Sequence, residues 1–322
     1  MMRPGEASIA RLLVPIQSDL DHPGTTDIVI QQPGKVGTLQ DGKWVFRAAP
    51  ELTFRALDAL SLYAGNWLAK SFDPANPIVE TTLPGRQRYT AVRPPITADG
   101  TIAIAIRVPF RHANGAADGD APALMHAPAA GGVDEELLQL YHAQQTEAFL
   151  DLAVKSGKSI GAIGSTGSGK TTFIRKRLRQ ISETDRLVTI EDTQEFGELP
   201  TENRVEMVYG ASGISAERCC ETALRLIPDR VAIQELRGSE AYAFLRIRTA
   251  GFAAMTTWHA EARDPFSPLA LMIKSSEQGR AIPDDKLDTM LRSLIDIIVF
   301  CRRDPVTKEF DPPYVCYFRL AG

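Results

Sequence analysis

Residues 159–172 read SIGAIGSTGSGKTT and hold the complete pattern G-x-x-x-x-G-K-[ST], over Gly164, Ser165, Thr166, Gly167, Ser168, Gly169, Lys170 and Thr171. Nothing else in the chain restricts the fold so tightly. Glycines at 164, 167 and 169 let the backbone turn sharply and bring its N–H groups up to phosphate oxygens. Residues 159–163 read as a short buried strand and 172–181 as a helix. That helix should begin near Lys170 and aim the positive end of its dipole at an anion. In this setting Lys170 reaches the β- and γ-phosphates, and the Thr171 hydroxyl, with Thr172 next to it, ligates Mg²⁺. The expectation is a nucleoside-triphosphate site.

With 322 residues, 44% hydrophobic and 24% charged, the chain has globular composition and length for about two domains. No apolar run approaches the roughly 20 residues that span a bilayer. The opening MMRPGEASIARLLVPI has neither an uninterrupted apolar stretch nor a small-residue cleavage site. A soluble protein is expected, able to dock on a membrane complex. Residues 1–110 carry 11 basic against 10 acidic side chains, and residues 133–322 carry 24 against 28. Neither part is a basic footprint, so strong nucleic-acid binding is not expected. Cys219, Cys220, Cys301 and Cys316 form no C-x-x-C pair; they suit a reducing compartment, as small packed hydrophobes.

Three regions follow from the pattern. Residues 1–110 read as a small α+β domain. Its strands are expected at 27–31, 43–46, 88–93 and 102–108, with a turn at Pro33-Gly34-Lys35. A helix is expected from Pro50 to about Lys70, with Leu57, Leu60, Ala64, Trp67 and Leu68 on one face. Residues 111–132 contain 14 Ala, Gly or Pro among 22, too few large apolar side chains for a core, and read as a flexible linker and hinge. Residues 133–322 open with one helix over 133–156. Beyond the glycine-rich loop, strands at 187–191, 205–209, 231–234 and 253–257 alternate with helices at 215–226 and 239–249. Late strands follow at 297–300 and 314–318. That alternation predicts an α/β domain with a mostly parallel sheet, in the style of a RecA-like P-loop nucleotidase.

Three clusters fall at predicted strand ends, where such a sheet places ligands. They are Glu191-Asp192 in TIEDTQEF, Glu235-Leu236-Arg237 in VAIQELRG, and His259 in TTWHAEA. Phosphoryl transfer to water needs cations on the phosphates, a carboxylate to orient the nucleophile, and donors for developing charge. Lys170 and Mg²⁺ on Thr171 supply the first, and Glu235 polarises the water. Glu191 and Asp192 hold the metal through its waters or share the base role, and His259 senses the γ-phosphate. The basic run Arg175-Lys176-Arg177-Arg179 reads as a solvated helix face.

GSTGSGKTT, TIEDTQEFGELPTENRVEMVY, LRLIPDRVAIQELRGSEAYAFL and TTWHA together resemble the hexameric traffic ATPases of type IV secretion systems, the VirB-eleven type. DIVIQQPGKV, APELTF, LPGRQRYTAVRPP and IAIRVPF are similar to that family's membrane-side domain, so the resemblance spans nearly the whole chain. It implies Mg²⁺-dependent ATP hydrolysis by a homohexameric ring, cytoplasmic and peripheral at the inner membrane. It also implies work with other secretion ATPases in pilus assembly and substrate transfer, and ATP held between two domains. Two N-terminal arginines reach the nucleotide in that family, and here they match Arg88 and Arg107.

The chain departs from the family pattern in three places. Gln234 stands where a glycine usually precedes the Walker B glutamate, Gly251-Phe252 stands for a Gly-His pair, and Trp258 precedes the histidine. Three rival readings remain. A type II secretion or type IV pilus motor is disfavoured by the missing C-x-x-C pair and the missing histidine pair. A DNA-translocating helicase is disfavoured by the charge balance. A nucleotide-dependent switch with little turnover is kept open by Gln234.

Overall fold

The computed structural model describes residues 5–109, 131–210 and 212–318. Its contacts divide the chain into two compact units. One is built on the N-terminal residues together with 205–213 and 225–227, and the other on the rest. The linker expected over 111–132 lies outside the described residues as far as residue 130, whereas Gly131 and Gly132 open the helix Gly131–His142.

In the first unit six strands, β1 (Thr25–Ile30), β2 (Gly34–Gln40), β3 (Lys43–Ala49), β4 (Ile78–Thr82), β5 (Arg88–Val92) and β6 (Ala103–Arg107), form one sheet in the order β3-β2-β1-β6-β5-β4. Every neighbouring pair is antiparallel. β2 and β4 were not expected from the pattern. In β2, Gly37 pairs with Phe46, and a Cβ on that glycine would come within 2.3 Å of the Phe46 ring. An aromatic covering a strand glycine restores the packing that the glycine lacks.

The helix of this unit runs over Phe54–Asn66, shorter than the expected 50–70. Thr53 starts it by accepting the N–H of Ala56 on its side chain, and Ala69, at φ 54, leaves helical geometry beyond its end. Leu57, Leu60 and Ala64 recur at helical spacing and pack with Ile28, Ile30 and Ile104 in the core. A helix over Glu6–Leu13, also unforeseen, adds Ile9 and Leu13.

A second, seven-stranded sheet contains β7 (Ile160–Ile163), β8 (Leu187–Glu191), β9 (Arg204–Val208), β10 (Arg230–Ile233), β11 (Ala253–Trp258), β12 (Ile297–Phe300) and β13 (Tyr314–Tyr317). The order is β13-β12-β7-β11-β10-β8-β9. β12, β7, β11, β10 and β8 pair in parallel, and β13 runs antiparallel to its neighbour β12. β7 and β8 are buried along their whole length, as strands covered on both faces must be.

The single helix expected over 133–156 is two, Gly131–His142 and Thr146–Lys155, broken where Gln144 takes φ 57. Arg177 corrects the solvated reading of the basic run: it is 1% exposed and holds Glu147 and Asp151 of the preceding helix. Burial pushes the Cys219 thiol up to about 12 and Cys301 up to about 11, which fits inert packing rather than reactivity.

Candidate active site

Parallel register decides which residues meet. Trp258 lies beside Ile163, and Ile233 lies beside both Thr256 and Ile190. The residues leaving these strands, Gly164, Asp192, Gln234 with Glu235, and His259, therefore emerge along one edge, outside the carboxyl ends of the strands.

The loop needs its glycines for two separate reasons. Gly164 sits where a Cβ would come within 2.2 Å of the Cys301 carbonyl oxygen, so the backbone just past β12 excludes any side chain. Gly169, at φ 92, is the left-handed residue from which the helix Lys170–Leu178 starts. The helix begins at the lysine itself, where the pattern placed its start, and ends at Leu178, short of the expected 181.

A cavity of about 560 Å³ opens over this turn, lined by residues 166–172 with Glu195, Glu235, Arg237, His259 and Phe310. Lys170 Nζ donates to the carbonyls of Gly164 and Ser165, each at 2.9 Å, and lies 3.3 Å from His259 Nδ1. Burial lowers the Lys170 pKa, and the charge of Glu235 opposes that shift. His259 Nε2 stands 2.8 Å from Glu235 Oε1, and Arg237 Nε donates to Glu235 Oε2 at 2.6 Å. The Arg237 guanidinium also reaches Asp192 Oδ2 at 3.4 Å. Lys170, His259, Glu235, Arg237 and Asp192 thus form one connected chain of charged and polar groups. Glu240 Oε1 holds the turn behind it by accepting the N–H groups of Arg237 and Gly238.

Glu191 and Asp192 do not line the cavity. Glu191 is 1% exposed, and its Oε2 accepts the N–H groups of Glu195 at 2.7 Å and Phe196 at 2.8 Å. It shapes the turn that carries Asp192 and that brings Glu195 to the cavity. Gln234 does not crowd the site. Its Oε1 turns to the same segment and accepts the N–H of Asp192 at 2.7 Å. Trp258, fully buried, lies against Gly161 of β7 and donates its indole N–H to the Pro265 carbonyl at 2.8 Å. The bulk ahead of His259 is therefore taken up below the strand end, away from the cavity.

Arg88 and Arg107 occur in the first unit at directly paired positions of β5 and β6. Both line a cavity of about 630 Å³ with Arg86 and Asp41, and Arg107 Nε donates to Asp27 Oδ1 at 2.8 Å. Sequence reasoning missed Glu195 and Phe310, and it gave Arg237 and Gln234 no structural part. For Phe310 the available signal was a single aromatic after the turn DPVTKE, between two strands.

A phosphate loop between a buried parallel strand and a helix, with acidic residues and a histidine at adjoining strand ends, defines a phosphate-loop ATPase. Residues 131–296, which contain the whole arrangement, match the family described as Type II/IV secretion system protein. Type IV secretion system protein VirB11 of Bartonella henselae is 31% identical over 320 residues, covering 92% of this chain and 90% of that protein. VirB11 of Agrobacterium tumefaciens is 33% identical over 303 residues, covering 89% and 88%. The crystal structure of the VirB11 ATPase from the Brucella suis type IV secretion system, in complex with sulphate, matches with a TM-score of 0.88 at 30% identity, over 97% of this chain and 95% of that one. The chain belongs to the VirB11 family of type IV secretion ATPases.

Proposed function

We propose that this secretion ATPase hydrolyses Mg²⁺-bound ATP at the cavity above the glycine-rich loop. We further propose that six copies form a ring at the cytoplasmic face of the inner membrane, working with other secretion ATPases in pilus assembly and substrate transfer. The observation that carries the catalytic part is the meeting of Lys170, Glu235 and His259 over one phosphate loop. Backbone N–H groups of residues 164–172 and the Lys170 ammonium bind the phosphates. Glu235, held between His259 and Arg237, orients the attacking water and accepts its proton. His259, within reach of both Lys170 and Glu235, reports the γ-phosphate to the carboxylate.

Among the described residues no cluster of three or more His, Cys, Asp or Glu could hold a metal ion. Mg²⁺ in such a site needs no protein cage, because one hydroxyl, phosphate oxygens and waters complete its shell. The Thr171 hydroxyl at the head of the helix suits that part, with Asp192 acting through water; the ion when bound neutralises phosphate charge. Glu191 contributes by fixing the turn around Asp192. The role in nucleotide binding given to Arg88 and Arg107 rests on the family and on their adjacency across β5 and β6. The sulphate in the Brucella suis structure, an oxyanion like phosphate, supports anion binding in this family.

Among the described residues no helix is long and apolar enough to cross a membrane, so the place at the membrane would come through partners. The test is ATP hydrolysis by wild type, Lys170→Ala and Glu235→Gln, with mass measured on the same samples. Turnover by a six-subunit species, lost in both variants while Glu235→Gln still binds ATP, is the expected result. A monomer that binds ATP without turnover would favour a nucleotide-dependent switch.

A further inference from the structure

Among the described residues lining the phosphate-loop cavity, Phe310 is the one apolar side chain. It is 61% exposed, so its ring is open to a ligand entering the cavity. The turn that carries it is closed by hydrogen bonds. The segment between β12 and β13 folds back on itself, with Arg303 bridged to Phe310 in antiparallel fashion. Asp304 Oδ1 accepts the N–H groups of Val306 and Thr307, each at 2.7 Å. The Asp304 N–H donates to Glu309 at 2.8 Å, and the Asp311 N–H donates to Arg302 at 3.0 Å.

One edge of the ring lies over Gly169, where a Cβ would meet it at 3.1 Å. The Arg303 guanidinium carbon stands 5.4 Å from the ring centroid, within range of a cation–π contact. A hydrogen-bonded turn thus presents an aromatic ring at the rim of a cavity whose other described lining residues are polar, charged or glycine.

We propose that Phe310 is the stacking platform for the nucleotide base. The inference rests on the reading of this cavity as the ATP site and adds the group that recognises the other end of the molecule. A triphosphate on the loop leaves the base as the only part of ATP with an apolar π-face, and among the described residues lining the cavity Phe310 is the apolar ring that could meet it. Stacking of this kind is tolerant of base identity, so it favours nucleotides over bare polyphosphate rather than one purine over another.

The test compares Mg²⁺–ATP with Mg²⁺–tripolyphosphate by calorimetry on wild type, Phe310→Ala, Phe310→Tyr and Lys170→Ala. Phe310→Ala is expected to weaken ATP binding about tenfold and to leave tripolyphosphate binding unchanged, while Phe310→Tyr keeps the ATP affinity. The side chain is exposed, so truncation should leave the fold intact, and an unchanged melting temperature checks this. Equal ATP affinity in Phe310→Ala and wild type, or an equal loss for both ligands, overturns the proposal and leaves the phosphate site standing. Failure of Lys170→Ala to weaken either ligand, or absence of ATP binding in wild type, removes the nucleotide reading itself and the proposal with it.

Discussion

His259 Nε2 lies 2.8 Å from Glu235 Oε1, and its other ring nitrogen lies 3.3 Å from the Lys170 ammonium. The imidazole therefore joins the lysine of the glycine-rich loop to the carboxylate proposed to position water. Groups that act as one unit give non-additive losses when removed. Glu235→Gln should lower kcat by about 10²–10⁴-fold with ATP affinity retained, and His259→Ala should lower it by about tenfold or more. The double variant should be no slower than Glu235→Gln alone. Steady-state turnover of the three proteins checks this, and multiplicative losses would show that the two residues work independently.

Gln234 is the residue that kept a low-turnover switch in view, and its geometry gives it a different part. The side-chain oxygen accepts the Asp192 N–H at 2.7 Å and the residue is 5% exposed. Gln234→Ala strands that N–H, at a cost of about 1–2 kcal/mol, and should lower the melting temperature by about 2–4 °C per kcal/mol. It should also lower turnover, because Asp192 is tied through Arg237 to Glu235. Identical melting curves for variant and wild type would mean that this turn holds itself.

Strand ends were legible in the sequence because a parallel sheet imposes both local signals at once: buried β-branched runs, and chemistry at their carboxyl ends. β8 at Leu187–Glu191 and β12 at Ile297–Phe300 fall where the pattern put them. Long-range contacts were not legible. Gln234 meets Asp192 across 42 residues, and Arg177 finds its partners on a helix about 30 residues earlier. β2 was hidden by Gly34 and Gly37, since cover by Phe46 leaves no mark in local propensity. The helix break at Gln144 was hidden too, because a left-handed residue that is neither glycine nor asparagine carries no local signal.

Gly161 and Trp258 are a small–large pair on adjoining strands, although each alone reads as an oddity. A Cβ on Gly161 would come within 2.2 Å of the indole and 3.1 Å of Ile298 Cδ1. Gly161→Ala should destabilise the protein by about 1–3 kcal/mol through overpacking. Trp258→Leu in the same chain should recover part of that loss, since the clashing ring is gone. A double-mutant cycle from chemical denaturation measures the coupling. Additive single effects would show that the strand shifts to accommodate the methyl group instead.

Arg177 gives the protein a pH-dependent part of its stability. Its guanidinium is buried and donates to both oxygens of Glu147, at 3.0 and 2.8 Å, and to Asp151 at 2.9 Å. Burial acts to raise the Glu147 pKa, but hydrogen bonds from Lys176 and Arg177 outweigh it and hold the pKa below 4.5. A carboxylate with a depressed pKa stabilises the folded state above its ordinary pKa, and that stabilisation is lost as pH falls through the folded value. Because Glu147 is largely exposed, solvent screening keeps its contribution to about 1 kcal/mol at most. Glu147→Gln should therefore melt below wild type by a constant margin from neutral pH down to about pH 5, and the margin should close as the pH falls further below 4.5. A margin that persists undiminished at low pH would mean that Glu147 holds Arg177 by geometry alone, with its charge contributing nothing to the fold.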